Sequence, residues 1–347
     1  MKRQARDAML RWLREEDESR LEDLFASADE VRRGSVGDAV HLRGLVEVSN
    51  HCRRGCLYCG LRAPNAALPR YRMTAEQVLS CARLASRLSY GTVVIQAGED
   101  PGIGAEWVAD LVRQIKKETG LAVTLSLGER EPHELARWRE AGADRYLLRF
   151  ETSDSELFAH IHPSLPGRKS DRVALLRELK RLGYEVGSGV MVGVPGQSYE
   201  SLAADIELFQ SLDLDMIGVG PYLPHPETPL AKERSRLPEK EQVPNTPFMA
   251  LKVLALARIA CPEANMPATT ALATADPVRG IERGLGAGAN VLMPNVAPPE
   301  IRAKYEVYPN KAVADATVPE SAGRIRERIE RIGRTVAAGP GGRRRAA

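Results

Sequence analysis

The segment Leu42-Arg43-Gly44-Leu45-Val46-Glu47-Val48, followed at once by Ser49-Asn50-His51-Cys52-Arg53-Arg54-Gly55-Cys56-Leu57-Tyr58-Cys59, decides how this chain is read. A run of strand length delivers three cysteines, separated by three residues and then by two. Thiols crowded into one loop point to a metal cluster and not to a disulfide. Thiolates suit iron–sulfur clusters, and a 4Fe-4S cube has four irons, so a loop giving three sulfurs leaves one iron open to another ligand. A zinc site completed by His51 or a distant residue is the competing reading. Structural zinc sites usually pair two Cys-x-x-Cys units, and no second pair exists here.

The totals allow one large barrel or two ordinary domains: 347 residues, of which 43% are hydrophobic. A net charge of +3 with 27% charged residues gives no electrostatic case for nucleic acid. No apolar run reaches membrane-spanning length, and Met1-Lys2-Arg3 opens a charged amphipathic segment, so the expected setting is cytoplasmic, with no membrane partner. Cys81 and Cys261 stand alone in or beside helical patterns and read as small buried hydrophobes.

Strand candidates recur at Leu42–Ser49, Thr92–Gly98, Ala122–Gly128, Arg145–Glu151, Glu185–Val194, Met216–Leu223, Asn265–Ala271 and Asn290–Asn295, with helical patterns between them. Eight strands alternating with helices predict an α/β fold of the TIM type, a (β/α)8 barrel spanning 41–311; a doubly wound open sheet is the alternative. Two amphipathic helices in 1–40 form an N-terminal cap. A charged helix and a Gly-rich basic tail fill 312–347, the last residues, Gly339 to Ala347, reading as a frayed end. In such barrels the working face lies at the carboxyl ends of the strands. Polar residues fall there: the Cys loop, Gly98-Glu99-Asp100, Ser126 to Glu129, Arg149 and Glu151, and Thr269-Thr270. Arg149 and Glu151 share a face by the period of two, so both are expected in the lumen, where unpaired charge is costly.

The cysteine spacing resembles that of the radical S-adenosylmethionine (SAM) enzymes. The resemblance implies that the free iron chelates the amino and carboxylate groups of SAM, and that an electron from the cluster cleaves the sulfonium to give a 5′-deoxyadenosyl radical. It places the Tyr58 ring against adenine and Gly98-Glu99-Asp100 at the amino group. Arg172 is then at the carboxylate, with Glu151 beside it or at the ribose, and Met191, within Gly189–Gly193, at adenine. Met216 and Ser126 are further candidates for the same pocket. The ordinary alternatives are a turn, a surface arginine, a buried strand and a core methionine.

Longer runs narrow the resemblance: SNHCRRGCLYCGLR, RYRMTAEQV, QAGEDPG, TLSLGE, ADRYLLRFET, GYEVGSGVMVGVPGQS, DMIGVGPYLPHPETPL, MPATTALAT, GANVLMPN and YPNK. Together they resemble the HydE family of FeFe-hydrogenase maturases, whose fold is similar to biotin synthase. That family implies an iron-carbonyl-cyanide-cysteine substrate supplied by the partner maturase HydG, on the way to a diiron subcluster assembled on HydF. It also implies that Arg149, Thr269, Thr270 and Tyr305, with Thr124 as a further member, hold anions or substrate carboxylate; bidentate capture is the reason for a guanidinium there. Some HydE proteins carry a second cluster on three further cysteines after the YPNK-like stretch; Ala312 to Pro319 has none. Ala97 and Phe150 stand where more polar residues are expected, which bears on substrate contact. Other functions stay open: a mutase of the methylornithine synthase (PylB) kind or a HydE-like enzyme on another amino-acid-derived substrate, and a non-enzymatic iron–sulfur carrier.

Overall fold

The computed structural model describes residues 2–311 and 318–343. Parallel strands β1 (Ala39–Ser49), β2 (Thr92–Ala97), β3 (Ala122–Ser126), β4 (Arg145–Leu147), β5 (Glu185–Val192) and β6 (Met216–Pro221) pair in sequence order, and β7 (Val291–Leu292) pairs with the other edge of β1. Helices α1 (Lys2–Arg14), α2 (Glu18–Val36), α3 (Ala75–Arg87), α4 (Ala105–Thr119), α5 (Pro132–Glu140), α6 (Ser155–Ile161), α7 (Arg172–Arg181), α8 (Tyr199–Ser211) and α9 (Pro247–Ala260) precede β7's approach. Short helices α10 (Thr270–Ala275), α11 (Gly280–Gly286) and α12 (Pro299–Arg302) and the longer α13 (Val318–Arg331) complete the set. Among the described residues, no helix is long and apolar enough to cross a membrane.

Side-chain alternation along β1 shows how the sheet sorts residues. Val40, Leu42, Val46 and Val48 join the hydrophobic core beneath the helices, each contributing about 1.5–3 kcal/mol by burial, while Arg43, Leu45 and Glu47 line internal cavities. The barrel interior is thus polar on a strand whose outer face is wholly apolar. Helices α1 and α2 pack against α8 and α9.

Two expectations are corrected. The seventh strand, Asn265–Ala271, does not form as a ladder. Pro267 lacks an N–H in the middle of it, and the segment closes the ring through single bridges, Met216 to Asn265 and Pro267 to Val291. Side chains replace the missing ladder: Asn290 Nδ2 donates to Asn265 Oδ1 at 2.9 Å, and Met266 N–H donates to Asn290 Oδ1 at 2.8 Å. Thr269 then caps α10, accepting from Leu272 N–H.

The tail is also not frayed over its described part. A short strand, β8 (Thr335–Val336), pairs with the start of β1, and the chain beyond it crosses the floor of the barrel. Pro340 O accepts from Thr92 Oγ1 and Arg145 Nη2, and Gly341 O accepts from Arg43 Nη2 and Asn265 Nδ2. Arg343 pairs with Asp213 at 2.5 Å and Glu263 at 3.2 Å. The region examined for a second set of cysteines, 312–317, lies outside the described residues.

Candidate active site

The cysteine loop leaves β1 at the carboxyl end of the barrel, and its backbone is pinned from three directions. Arg53 N–H donates to Glu99 O, Leu57 N–H to Ile161 O and Gly60 N–H to Val307 O, each at 2.9 Å. Gly98 is required where strand β2 passes beneath the loop. A Cβ there would lie 2.3 Å from His51 O and 2.8 Å from Cys52 Cβ. All three cysteines and Tyr58 line one cavity of about 240 Å³, together with Gly98, Glu99, Ser126, Arg149, Glu151, Arg172, Met191 and Tyr305. Most of the residues expected at the site are therefore brought to one wall-to-wall space.

Electrostatics around the thiols are organised by two buried carboxylates. Glu99 Oε1 accepts from Arg53 Nε at 2.8 Å and Arg54 Nε at 2.9 Å. Its other oxygen accepts from Glu129 N–H. Glu129 in turn takes Arg54 at 2.9 Å, Arg172 Nε at 3.0 Å and Ser170 Oγ at 2.5 Å, with His162 Nε2 at 3.2 Å. Burial works to raise the Glu129 carboxyl, yet His162, Arg172, Ser170 and Arg54 together hold it far below the ordinary range. Arg172 also donates to Arg149 O at 2.6 Å. Glu151 lies 3.4 Å from Arg149 and is held at a φ of 66°, a left-handed conformation that costs a non-glycine residue on the order of 1 kcal/mol or more.

Burial pushes the Cys52, Cys56 and Cys59 thiols upward, Cys56 to about 12 even against the nearby guanidiniums of Arg172 and Arg54. A coordinating metal deprotonates such thiols outright. Among the described residues no three His, Cys, Asp or Glu side chains converge as ligands of a single ion.

Below this space a second cavity of about 240 Å³ continues down the lumen, sharing Gln96, Ala97, Ser126 and Arg149. Thr269 and Thr270 line it, with Lys311 and Arg43. Tyr305 sits between the levels, its hydroxyl accepting from Gln96 Nε2 at 3.3 Å and its ring beneath Lys311 Nζ at 4.5 Å.

Several expected residues stand elsewhere. Asp100 is off the cavity wall: it takes Arg72 at 2.7 Å, Ser49 Oγ at 2.6 Å and Gly102 N–H at 2.8 Å, and so braces the loop. Met216 begins β6 at the floor, where Arg43 donates to its sulfur, at the opposite end of the strands from the cysteines. Thr124 lies one inward position below Ser126 on β3 and is buried. Phe150 packs outward on Phe209 at 5.5 Å, so of the two departures only Ala97 touches the cavity. Residues not singled out beforehand include Arg54, Ser170 and His162, whose Nδ1 is 3.0 Å from Cys56 Sγ. Arg54 was visible inside the cysteine loop, whereas nothing local marks Ser170 or His162.

A barrel with three thiols at the mouth and a charged lumen defines a class. The sequence profile described as the Radical SAM superfamily matches residues 46–209. The HydE subunit of the FeFe hydrogenase maturase from Thermotoga maritima is 45% identical over 93% of this chain and 89% of its own. The 3-methylornithine synthase of Methanosarcina acetivorans is 31% identical over 80% of this chain and 75% of its own. The crystal structure of methylornithine synthase (PylB) superposes with a TM-score of 0.82 at 26% identity, covering 96% of this chain and 94% of that one. HydG, at 20% identity, a TM-score of 0.74 and coverage of 92% and 70%, shares the fold. The chain is a radical SAM enzyme and belongs to the HydE family. Membership implies a 4Fe-4S cluster and SAM.

Proposed function

We propose that this enzyme acts in FeFe-hydrogenase maturation, on an anionic, iron-bound, cysteine-derived precursor of the iron-carbonyl-cyanide kind, with HydG upstream and HydF downstream. The single observation that carries the reading is the pairing of a three-thiol loop with a lumen of cations and hydroxyls directly beneath it. Identity of 45% to a HydE protein supports it.

The residues fit the cofactors the family implies. Cys52, Cys56 and Cys59 supply soft sulfur donors on one wall, and the absence of a fourth thiol in the loop keeps a corner of a cube available. When bound, the cluster and SAM supply a reducing electron and an organic radical. Tyr58 and Met191 provide apolar surface for adenine, and Ser126 a hydroxyl. Glu151 lines the same space. Gly98 and Glu99 present backbone to the amino group, because the Glu99 side chain is already bound by Arg53 and Arg54. Arg172 serves the SAM carboxylate from a guanidinium that Glu129 holds in place.

Deeper in, Arg149, Thr269, Thr270 and Tyr305 orient an anionic substrate and exclude water. An arginine offers a planar pair of donors and the threonines add hydroxyls, a donor set suited to a carboxylate. A second reading, rearrangement of an amino acid as in methylornithine synthase, is favoured by the close superposition with PylB.

The test is hydrogenase activation in a strain lacking its own HydE. Restored hydrogen evolution supports the maturase. Without restoration, release of 5′-deoxyadenosine from SAM under dithionite together with 3-methylornithine formation would instead support the mutase.

A further inference from the structure

His162 is fixed against the cysteine loop more tightly than packing requires. It ends α6, where its N–H donates to Phe158 O at 2.8 Å, and the residue before it, Ile161, accepts from Leu57 N–H inside the loop. Its side chain is fully buried, with Nδ1 at 3.0 Å from Cys56 Sγ. Nε2 faces an acceptor, Glu129 Oε1, at 3.2 Å, and Arg172 Nη2 lies beside both ring nitrogens, 3.1 Å from Nε2 and 3.4 Å from Nδ1.

The arrangement has one consequence for a cluster held by these thiols. As a metal ligand the Cys56 sulfur carries no hydrogen and can only accept. The hydrogen between it and His162 must then sit on Nδ1. With Nδ1–H directed at the sulfur, Nε2 donates to Glu129 when protonated and otherwise accepts from Arg172.

We propose that His162 is a positioning residue that donates from Nδ1 to the Cys56 sulfur of the bound cluster and raises the cluster's reduction potential. Hydrogen bonds to ligand sulfurs are one of the levers that set such potentials, since they withdraw electron density and favour the reduced form. The donor serves one corner of the three, so it also makes the sulfurs unequal. Tyr58 gives Cys56 a second side-chain contact, whereas the hydrogen bonds at Cys52 and Cys59 come from backbone. This inference rests on the reading of the triad as a cluster site.

The experiment uses the full chain, reconstituted anaerobically with iron and sulfide, in the absence of SAM. Iron content is measured first, and the potential is then read by EPR-monitored redox titration. H162L removes the donor, and H162N keeps an N–H near the place of Nδ1. The expected result is equal cluster content, a lower potential for H162L, and recovery toward the original value for H162N. A fully loaded H162L that titrates with the unsubstituted protein overturns the proposal. Should H162L fail to load, the unsubstituted protein labelled with 15N-histidine decides: pulsed EPR of the reduced cluster shows a weak histidine nitrogen coupling, or its absence overturns the proposal. Failure of the unsubstituted protein to take up a cluster would refute the cluster reading itself.

Discussion

Glu129 Oε1 lies 3.0 Å from Arg172 Nε, and the same carboxylate also binds Arg54 and Ser170 while facing His162, so one buried anion ties together four groups around the thiol loop. Removing one member of a buried charge network leaves the others uncompensated, at a cost of about 3–5 kcal/mol. Glu129→Gln is therefore expected to lower the urea midpoint markedly and to weaken iron loading together with it. Glu131→Gln, two residues on and half exposed to solvent in its ion pair with Arg168, should change either by less than about 1 kcal/mol.

Gly98→Ala tests the close passage of β2 beneath the loop. Overlap with His51 O and Cys52 Cβ must push the loop outward, at about 1–3 kcal/mol. The expected outcome is a protein with unchanged far-ultraviolet circular dichroism and reduced iron content after reconstitution. Full loading would show that the loop relaxes freely.

The strap across the barrel floor predicts a contrast between two truncating changes. Arg43 is buried, held below its ordinary basicity at about 9 by burial, and donates to the Gly341 carbonyl. Deleting 338–347 strips that partner and the Pro340 carbonyl from two buried arginines and is expected to destabilise the fold by several kcal/mol. Arg343→Ala removes ion pairs to the partly exposed Asp213 and Glu263 and a longer one, at 3.5 Å, to the buried Asp215, and should cost less than the deletion. Comparable unfolding midpoints for both variants would contradict the strap's role.

Asp205 gives the chain a pH-dependent stability that is independent of the active site. Burial raises its carboxyl to about 7, against the hydrogen bond from Ser153 N–H at 2.5 Å. A folded-state value above the unfolded 3.8 means the native state holds the extra proton, so stability falls as pH rises from about 4 to about 7, by on the order of 4 kcal/mol. Asp205→Asn should flatten that part of the profile in urea titrations, whatever its effect on absolute stability.

How much was legible beforehand depends on whether the signal was local. The cysteine loop, seven of the eight strands and the placing of Arg149 and Glu151 on one cavity wall agree with what spacing and period suggest. The seventh strand fails because Pro267 has no N–H to give to the ladder that the pattern of Asn265–Ala271 suggests. The tail misled because Gly-rich basic composition resembles an unstructured end, while its role depends on two arginines from distant strands. His162 and Ser170 reach Cys56 and Glu129 across long stretches of chain, and no spacing rule reports such a meeting.

The central claim is that Cys52, Cys56 and Cys59 hold a cube with one corner left for SAM. The most direct measurement is the EPR spectrum of the dithionite-reduced, reconstituted protein before and after SAM is added. The account predicts that SAM shifts the g values of the cluster signal, and that Cys56→Ala shows no such cluster. A reduced cluster whose spectrum SAM leaves unmoved would contradict it.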